Sequence, residues 1–481
     1  MSKQLSRRSL LLGAAALQAQ PAGNVILPGD AGYDAARRVF SFNPLTDKHP
    51  KMISRPASSD DVVKAVRYAR EKQTDVAVRS GGHDLLGASV CDGMVIDLSQ
   101  MKKIEIDRDA GTVRVEAGVR ASDLNRATQA VGMAVPLGCH PAVGIAGLTL
   151  GGGLGWLLGK YGATCDNLAG IDVVTADGSI LHASTTENSD LFWAVRGGGG
   201  NFGIATAFEY RLHAVDQVMG GVIAYRADLA QFLRFYSAFM KEAPPELTVE
   251  LNILLNAGPT IIVMVCWSGD ATEGARVLRP LRSFGPPAKD LVNSVAYLHL
   301  MDSFPQLGSL LGPPPPRDRK GPPDIYWRGG SLLALTNAAA DQLAAIAADA
   351  PPGSSMGIGH YMHGQVCRVA ANASPLPRVD GQYTYFINGS WYEERQAEAS
   401  MAWVDRSWKA MRPHSSEGAY INYLSTDDPS AVQASYGKNY ARLVQLKRKF
   451  DPTNFFHHNR NIRVPSATAA VPTPKARPGA A

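Results

Sequence analysis

A histidine set behind two glycines, in Arg79-Ser80-Gly81-Gly82-His83-Asp84, can contact a bound cofactor or simply cap its own loop. Two further glycine clusters lie downstream. One runs from Leu137 to Asn167 and carries Gly144, Gly147, Gly151, Gly152, Gly153, Gly155, Gly159 and Gly162 among large apolar residues. The other is Arg196-Gly197-Gly198-Gly199-Gly200-Asn201-Phe202-Gly203. Backbone this rich in glycine can approach a ligand closely, and the N–H groups of its turns can hold an anion or a ring edge. The same glycines could serve only chain packing. Three such loops within about 125 residues point to one long, phosphate-bearing cofactor gripped at several places.

Other motifs fail on context. Gly198 to Gly203 formally satisfies GxGxxG, but a dinucleotide fingerprint follows a strand and opens a helix, whereas here a helix precedes and a strand follows. Gly353-Ser354-Ser355-Met356-Gly357 matches the serine-hydrolase elbow GxSxG, with His360 nearby. Pro351-Pro352 stand where the elbow needs a strand. The five cysteines, Cys91, Cys139, Cys165, Cys266 and Cys367, are far apart and make neither a zinc-ligand pattern nor a disulfide framework. Tyr420, Asn422 and Tyr423 fall in an expected strand, and Tyr436, Lys438 and Asn439 on an expected helix, where packing alone explains tyrosines.

The elements that position these residues can be read in order. Ser58 caps a helix reaching Lys72, with Val62, Val63, Val66 and Ala69 on one face. Strands are expected at 75–79, leading into the first glycine loop, and at 94–98, with hairpins over 103–117 and 170–183. A helix over 121–131 precedes the central stretch, and one over 189–195 leads into the third glycine loop. A strand over 204–212 leaves it. This is an α+β region without the regular alternation of a parallel βαβ array. From about residue 217 helices (227–241, 271–282, 338–348) alternate with strands (246–255, 260–267, 383–391), which reads as a sheet covered by helices. The prolines at 313–316 and 322–323 make a stiff loop, and 429–450 is mostly helical.

With 45% hydrophobic and 19% charged residues over 481 positions, the chain has the composition of a globular protein with a sizeable core. A net charge of +5 spread along the chain, without a basic block, argues against nucleic acid as a partner. No stretch after the N-terminus has the length and apolarity of a membrane span. Ser6-Arg7-Arg8-Ser9, followed by a short apolar run and small residues, reads as a twin-arginine export signal over residues 1–25. That implies a periplasmic or secreted protein; the alternative is a ragged terminus with a chance Arg-Arg pair and a cytoplasmic protein.

Taken together, VRSGGHDLLGAS, GIAGLTLGGGLGWLLGKYGATCDNL, RGGGGNFGIATAFEYRLH, YINY and YGKNYARLVQLKRKFDPTNFF resemble the berberine-bridge-enzyme-like flavin oxidases of the vanillyl-alcohol-oxidase superfamily. The resemblance implies a bipartite, PCMH-type FAD-binding domain over 45–216, completed by 421–464. An inserted substrate domain, an antiparallel sheet covered by helices, would occupy 217–420, and a disordered tail 465–481. It implies FAD bonded covalently to His83, with Arg79, Ser80, Gly81, Gly82 and Asp84 in the pyrophosphate loop. Gly147, Gly151, Gly152, Gly155, Gly162, Asp166, Asn167, Asn201, Gly203 and Ile204 would line the cofactor channel, with Tyr436 and Asn439 also at the cofactor. Doubly linked relatives carry a cysteine where this chain has His140, and Cys139 stands one residue early, which argues against a second flavin bond. The wording is closest to single-linkage bacterial members such as the hydroxynicotine oxidases. Val143 matches a position where a small side chain admits dioxygen. Tyr420 would be the proton acceptor, with Asn422 beside it on the same strand face. A nearby cation such as Lys438 would lower its pKa, and Tyr361, Tyr385 and Glu417 are alternative acceptors. The expected activity is hydride transfer from a C–H beside an alcohol or amine of a small organic substrate to FAD, with dioxygen giving H₂O₂. A dehydrogenase with another electron acceptor, a flavin-binding protein without turnover and a Ser355 hydrolase are the competing readings.

Overall fold

A computed structural model describes residues 23–256, 258–303 and 323–464. Most of the expected export signal, the proline-rich stretch 312–322 and the tail 465–481 lie outside the described residues.

The N-terminal half builds two small sheets. Strands β1 (Asn24–Ile26), β2 (Met52–Arg55), β3 (Val76–Arg79) and β4 (Met94–Asp97) form the first, in the order β1-β2-β4-β3. Both β2 and β3 run parallel to β4. Helix α1 (Ser59–Glu71) makes the crossover from β2 to β3. Its N-cap Ser58 accepts from the Asp61 N–H, and Val62, Val63, Val66 and Ala69 are buried. One βαβ unit is therefore present within a region that lacks regular βαβ alternation; β2 carries too short an apolar pattern to stand out in the sequence. The second sheet is antiparallel. It contains β5 (Ile104–Asp107), β6 (Thr112–Glu116), β7 (Leu168–Val174), β8 (Ile180–Ser184) and β9 (Ile204–Arg211), in the order β5-β6-β9-β7-β8.

The second body is one eight-stranded antiparallel sheet. Its long strands are β10 (Gln217–Tyr225), β11 (Leu247–Leu254), β12 (Thr260–Trp267), β13 (Asp324–Leu332), β14 (Ser355–Tyr361) and β15 (Tyr383–Trp391), ordered β10-β12-β11-β14-β15-β13. Side chains alternate across a strand, so each strand has two faces. One face supplies Leu247, Val249, Leu251 and Ile253 to a core that Phe232 and Leu343, from the helices at Leu229–Lys241 and Asn337–Ala348, complete. The opposite face rests partly on the first body. Ile262 and Met264 pack there with Trp156 and Leu157, and Glu250 and Asn252 pair across β11 and β12 with Met264 and Ile262.

The chain then returns to the first body. Leu424, Val432, Tyr436, Leu443, Leu446, Phe456 and Ile462 share one core with α1 and the N-terminal sheets. Helices over Pro429–Tyr436 and Tyr440–Phe450 carry most of these residues. Their return is anchored by Lys447, which is fully buried. Its ammonium donates to the carbonyls of Asn201 and Phe456, both at 2.9 Å, and to Asp451 at 2.7 Å. Asp451 also accepts from the N–H groups of Phe455 and Phe456, so the buried pair is satisfied on both sides.

Candidate active site

Where the two bodies meet lies a cavity of about 590 Å³. Its first wall comes from all three glycine clusters: Ser80, Gly81, Gly82, His83 and Asp84; Val143, Gly144 and Gly147; and Gly199, Gly200, Gly203 and Ile204. Two of these loops touch backbone to backbone. A Cβ on Gly81 would stand 2.5 Å from the Gly144 Cα, so only glycine permits the contact.

His83 lies in this wall, stacked on Phe40 at 4.0 Å between ring centroids and 4.7 Å from the His140 ring. Burial, with His140 beside it, pushes its pKa down to about 3, and burial holds His140 at about 4. Both rings are neutral at working pH. The Nε2 of His83 is buried and has no hydrogen-bond partner. An orphaned buried nitrogen costs stability unless something else uses it, so this site fits a bound group at the imidazole. Cys139 turns the other way. Its Sγ lies 3.6 Å from the Nε2 of His360 in the second body, and its thiol is pushed well above its ordinary pKa by burial and by Glu250.

The opposite wall is the unsheathed face of the large sheet, with Glu250, Asn252, Trp327, His360, Phe386 and Asn388. His360 reaches it through a register shift in β14. Ile358 and Tyr361, three residues apart, both pack on the helix-covered side, and the irregularity between them turns His360 to the cavity. Sequence reasoning expected the substrate domain to line the pocket but assigned none of these residues to it. The wall's signal was a glutamate and an asparagine two residues apart inside the apolar run LTVELNIL.

Tyr420 and Asn422 line the cavity, but not from a strand. Tyr420 precedes a 3₁₀ turn over Ile421–Tyr423, and that turn rather than strand alternation brings the pair together. The Tyr420 hydroxyl accepts from the Gly153 N–H and from Asn422 Nδ2, both at 2.9 Å. Asn422 also donates to the carbonyls of Gly147 and Leu148, and a Cβ on Gly151 would strike its side chain. Burial pushes the Tyr420 phenol up, and no cation is among the groups acting on it; Lys438 is exposed. Of the alternative acceptors, Tyr361 and Tyr385 belong to the helix-covered core, and Glu417 is exposed.

Several expected cofactor residues stand behind the wall. Arg79 is buried against Asp97 at 3.3 Å and donates to the Arg38 carbonyl. Asp166 pairs with Arg378 and accepts from the Ala163 N–H. Asn167 donates to the carbonyls of Tyr161 and Ala163 and meets His213. Asn201 donates to the carbonyls of Gly198 and Arg460 and accepts from the Ile462 N–H, tying the third glycine loop to the returning chain. Asn439 donates to the carbonyls of Ala371 and Ser374. Tyr436 is buried beside Gly199. Gly151, Gly152, Gly155 and Gly162 shape the central segment rather than face the cavity. Gly152 and Gly162 adopt φ of 116° and 83°, and Gly155 leaves room for the Leu137 carbonyl. Most of these polar groups are spent on backbone or an ion pair, the Tyr436 hydroxyl is buried without a partner, and none of these residues lines the cavity.

A family model for an FAD binding domain matches residues 50–184, and one for berberine and berberine-like proteins matches 419–463. An FAD-linked oxidoreductase of Dictyostelium discoideum is 31% identical over 420 residues, covering 86% of this chain and 89% of that protein. The chain belongs to the berberine-bridge-enzyme-like FAD-linked oxidoreductases. The (R)-6-hydroxynicotine oxidase of Paenarthrobacter nicotinovorans is 30% identical to this oxidoreductase over 469 residues, 92% of this chain and 96% of that one. The crystal structure of 6-hydroxy-D-nicotine oxidase from Arthrobacter nicotinovorans superposes with a TM-score of 0.83 at 26% identity, over 94% of this chain and all of that chain. The cofactor of this oxidoreductase is therefore FAD, and the PCMH-type fold read from the sequence is the one observed. Among the described residues no helix is long and apolar enough to cross a membrane.

Proposed function

We propose that this oxidoreductase is an oxidase holding FAD through a single covalent bond to His83. It would act on small organic substrates carrying a C–H beside an alcohol or amine. The observation that carries this reading is the buried, partnerless Nε2 of His83 in a wall made by three glycine loops. Bound FAD would supply hydride acceptance and reoxidation by dioxygen to H₂O₂.

The chain's own residues do the rest. The glycine loops set their backbone N–H groups along the cofactor wall, where the anionic pyrophosphate needs donors. Val143 occupies that wall with a short side chain, which supports access for dioxygen beside the ring. Tyr420, both of whose recorded hydrogen bonds are accepted, has its hydroxyl proton free to donate to whatever lies in the cavity. The aromatic rings of Trp327, Phe386 and Tyr423 line the cavity and would shield a bound substrate from water. The Arg7-Arg8 pair and the apolar run after it support export through the twin-arginine route.

Acid precipitation tests the linkage. Wild-type protein is expected to stay yellow, His83→Ala to release its flavin, and Cys139→Ser to retain it. A colourless wild-type pellet, or loss of colour in Cys139→Ser, overturns the single-bond reading. A peroxide-release screen over alcohols and amines tests the reaction, and bleaching without peroxide in air would point to a dehydrogenase.

A further inference from the structure

Resting on that oxidase reading, we propose that Glu250 and His360, on two adjacent strands of the large sheet, together form the acceptor for the proton that leaves the substrate. The bookkeeping of the reaction demands such a group. As the C–H bond breaks, the hydrogen leaves with both electrons to the oxidised flavin. The substrate O–H or N–H bond then gives up its proton, and a C=O or C=N bond forms. That proton needs a base within hydrogen-bond reach.

The cavity offers few candidates. Asp84 has its carboxylate occupied: it accepts from the N–H groups of Leu86, Gly87 and Ser89 and from the Ser89 hydroxyl, at 2.6–3.0 Å. His458 is engaged with Asp75 at 2.7 Å. His83 belongs to the cofactor wall. The phenols of Tyr420 and Tyr423 are both pushed up by burial, so each holds its proton at neutral pH.

The Glu250–His360 pair differs. Both side chains line the cavity, and both are more than nine-tenths buried. Oε1 of Glu250 lies 3.1 Å from Nε2 of His360, and the second ring nitrogen, Nδ1, is buried without a partner. Among the described residues no lysine or arginine pairs with Glu250; its carboxylate meets the imidazole and the Cys139 thiol. A carboxylate orienting an imidazole whose other nitrogen can take a proton is the arrangement that makes histidine an effective base. Burial lowers the His360 pKa and Glu250 raises it, leaving the ring neutral and able to accept at neutral pH. Cys139 faces the pair from the central glycine-rich segment, Tyr423 faces Glu250 from the 3₁₀ turn, and Tyr236 feels Glu250 from the helix at Leu229–Lys241 on the other side of the sheet.

The geometry explains why both residues are needed. Glu250 is buried opposite the apolar Met264, and a carboxylate there without a purpose would be costly. His360 reaches the cavity only through the register shift in β14, a device that re-aims one side chain at a site.

The test uses two readouts. In [¹³C]histidine-labelled protein the His360 ring signal, assigned by its loss in His360→Asn, is expected to titrate at lower pH in Glu250→Gln than in wild type. This measurement needs neither substrate nor turnover. In anaerobic stopped-flow with an alcohol or amine from the peroxide screen, Glu250→Gln is expected to keep its bound flavin and its reduction by dithionite. Its reduction by substrate is expected to slow by about 10²-fold or more, with the acidic limb of the pH profile moved to lower pH. Glu250→Asp is expected to recover part of the rate. A wild-type protein that no alcohol or amine bleaches fails the oxidase reading and takes the acceptor with it. A wild type that bleaches beside a Glu250→Gln that bleaches equally fast, or whose His360 titration does not move, overturns the pair alone.

Discussion

Replacing Tyr420 by phenylalanine separates two roles that the Tyr-x-Asn spacing leaves open. The hydroxyl oxygen accepts from the Gly153 N–H and from Asn422 Nδ2, each at 2.9 Å. Asn422 has other acceptors within reach, the carbonyls of Gly147 and Leu148 at 3.3 and 3.4 Å. The Gly153 N–H, in a buried turn, has no recorded alternative and becomes an orphaned donor, which costs about 1–3 kcal/mol. The ring itself stays in its cluster with Leu154, Leu158 and Leu376, so no cavity term is added. At about 1.36 kcal/mol per decade, amide exchange across the Gly151–Gly155 turn should speed by roughly 5- to 150-fold, provided that it proceeds by local opening. Hydrogen–deuterium exchange read by mass spectrometry on a peptide spanning this turn gives the number. The pH profile of flavin reduction should keep its acidic limb, because the proton acceptor lies elsewhere. Unchanged protection of the turn, combined with loss of that limb and a fall of about 10²-fold or more in the reduction rate, would refute this reasoning and make Tyr420 the base.

Val143→Leu should slow reoxidation of substrate-reduced protein in air while leaving anaerobic reduction unchanged, and equal reoxidation rates would remove the dioxygen role. Lys447→Met leaves the fully buried Asp451 carboxylate without its ammonium partner and the Asn201 carbonyl without its donor, while the Phe456 carbonyl keeps Asn459, at a cost of about 3–5 kcal/mol; urea denaturation and limited proteolysis of the 451–464 segment measure it. The depressed pKa values of His83 (about 3) and His140 (about 4) lie below the unfolded value of 6.5, so the unfolded chain binds more protons between them. The stability of flavin-free protein should therefore be full above pH 6.5 and fall progressively as pH drops towards 3. His140→Gln should flatten that loss between pH 6.5 and 4, as seen in urea midpoints.

The sequence by itself determined the cofactor side of this protein. Glycine clusters are local statements: they fix where backbone can turn and approach, and their order along the chain needs no tertiary information to be read. His83 follows from the same loop, and its neighbour His140, standing where a linking cysteine would be, was equally visible. Strands and helices with strong apolar periods, such as those over 189–195, 260–267, 271–282 and 383–391, lie where the pattern places them.

What only the tertiary structure decided is which polar groups face the cavity. Glu250 and Asn252 were legible as polar residues alternating within an apolar strand, but alternation cannot say whether their face meets solvent, helices or another body. That depends on the strand order β10-β12-β11-β14-β15-β13 and on the first body covering one side. His360 is out of step with its own strand, and its direction comes from a register shift set by pairing with β15. Arg79, Asp166, Asn167 and Asn439 show the converse: motif position suggested cofactor contact, while long-range partners claim their side chains. Tyr420 and Asn422 do converge at the cavity, through a turn stabilised by contacts more than 260 residues away in sequence, at Gly147 and Gly153. Spacing along the chain fixes only near neighbours. Such long-range contacts exist only once the returning chain has closed the core.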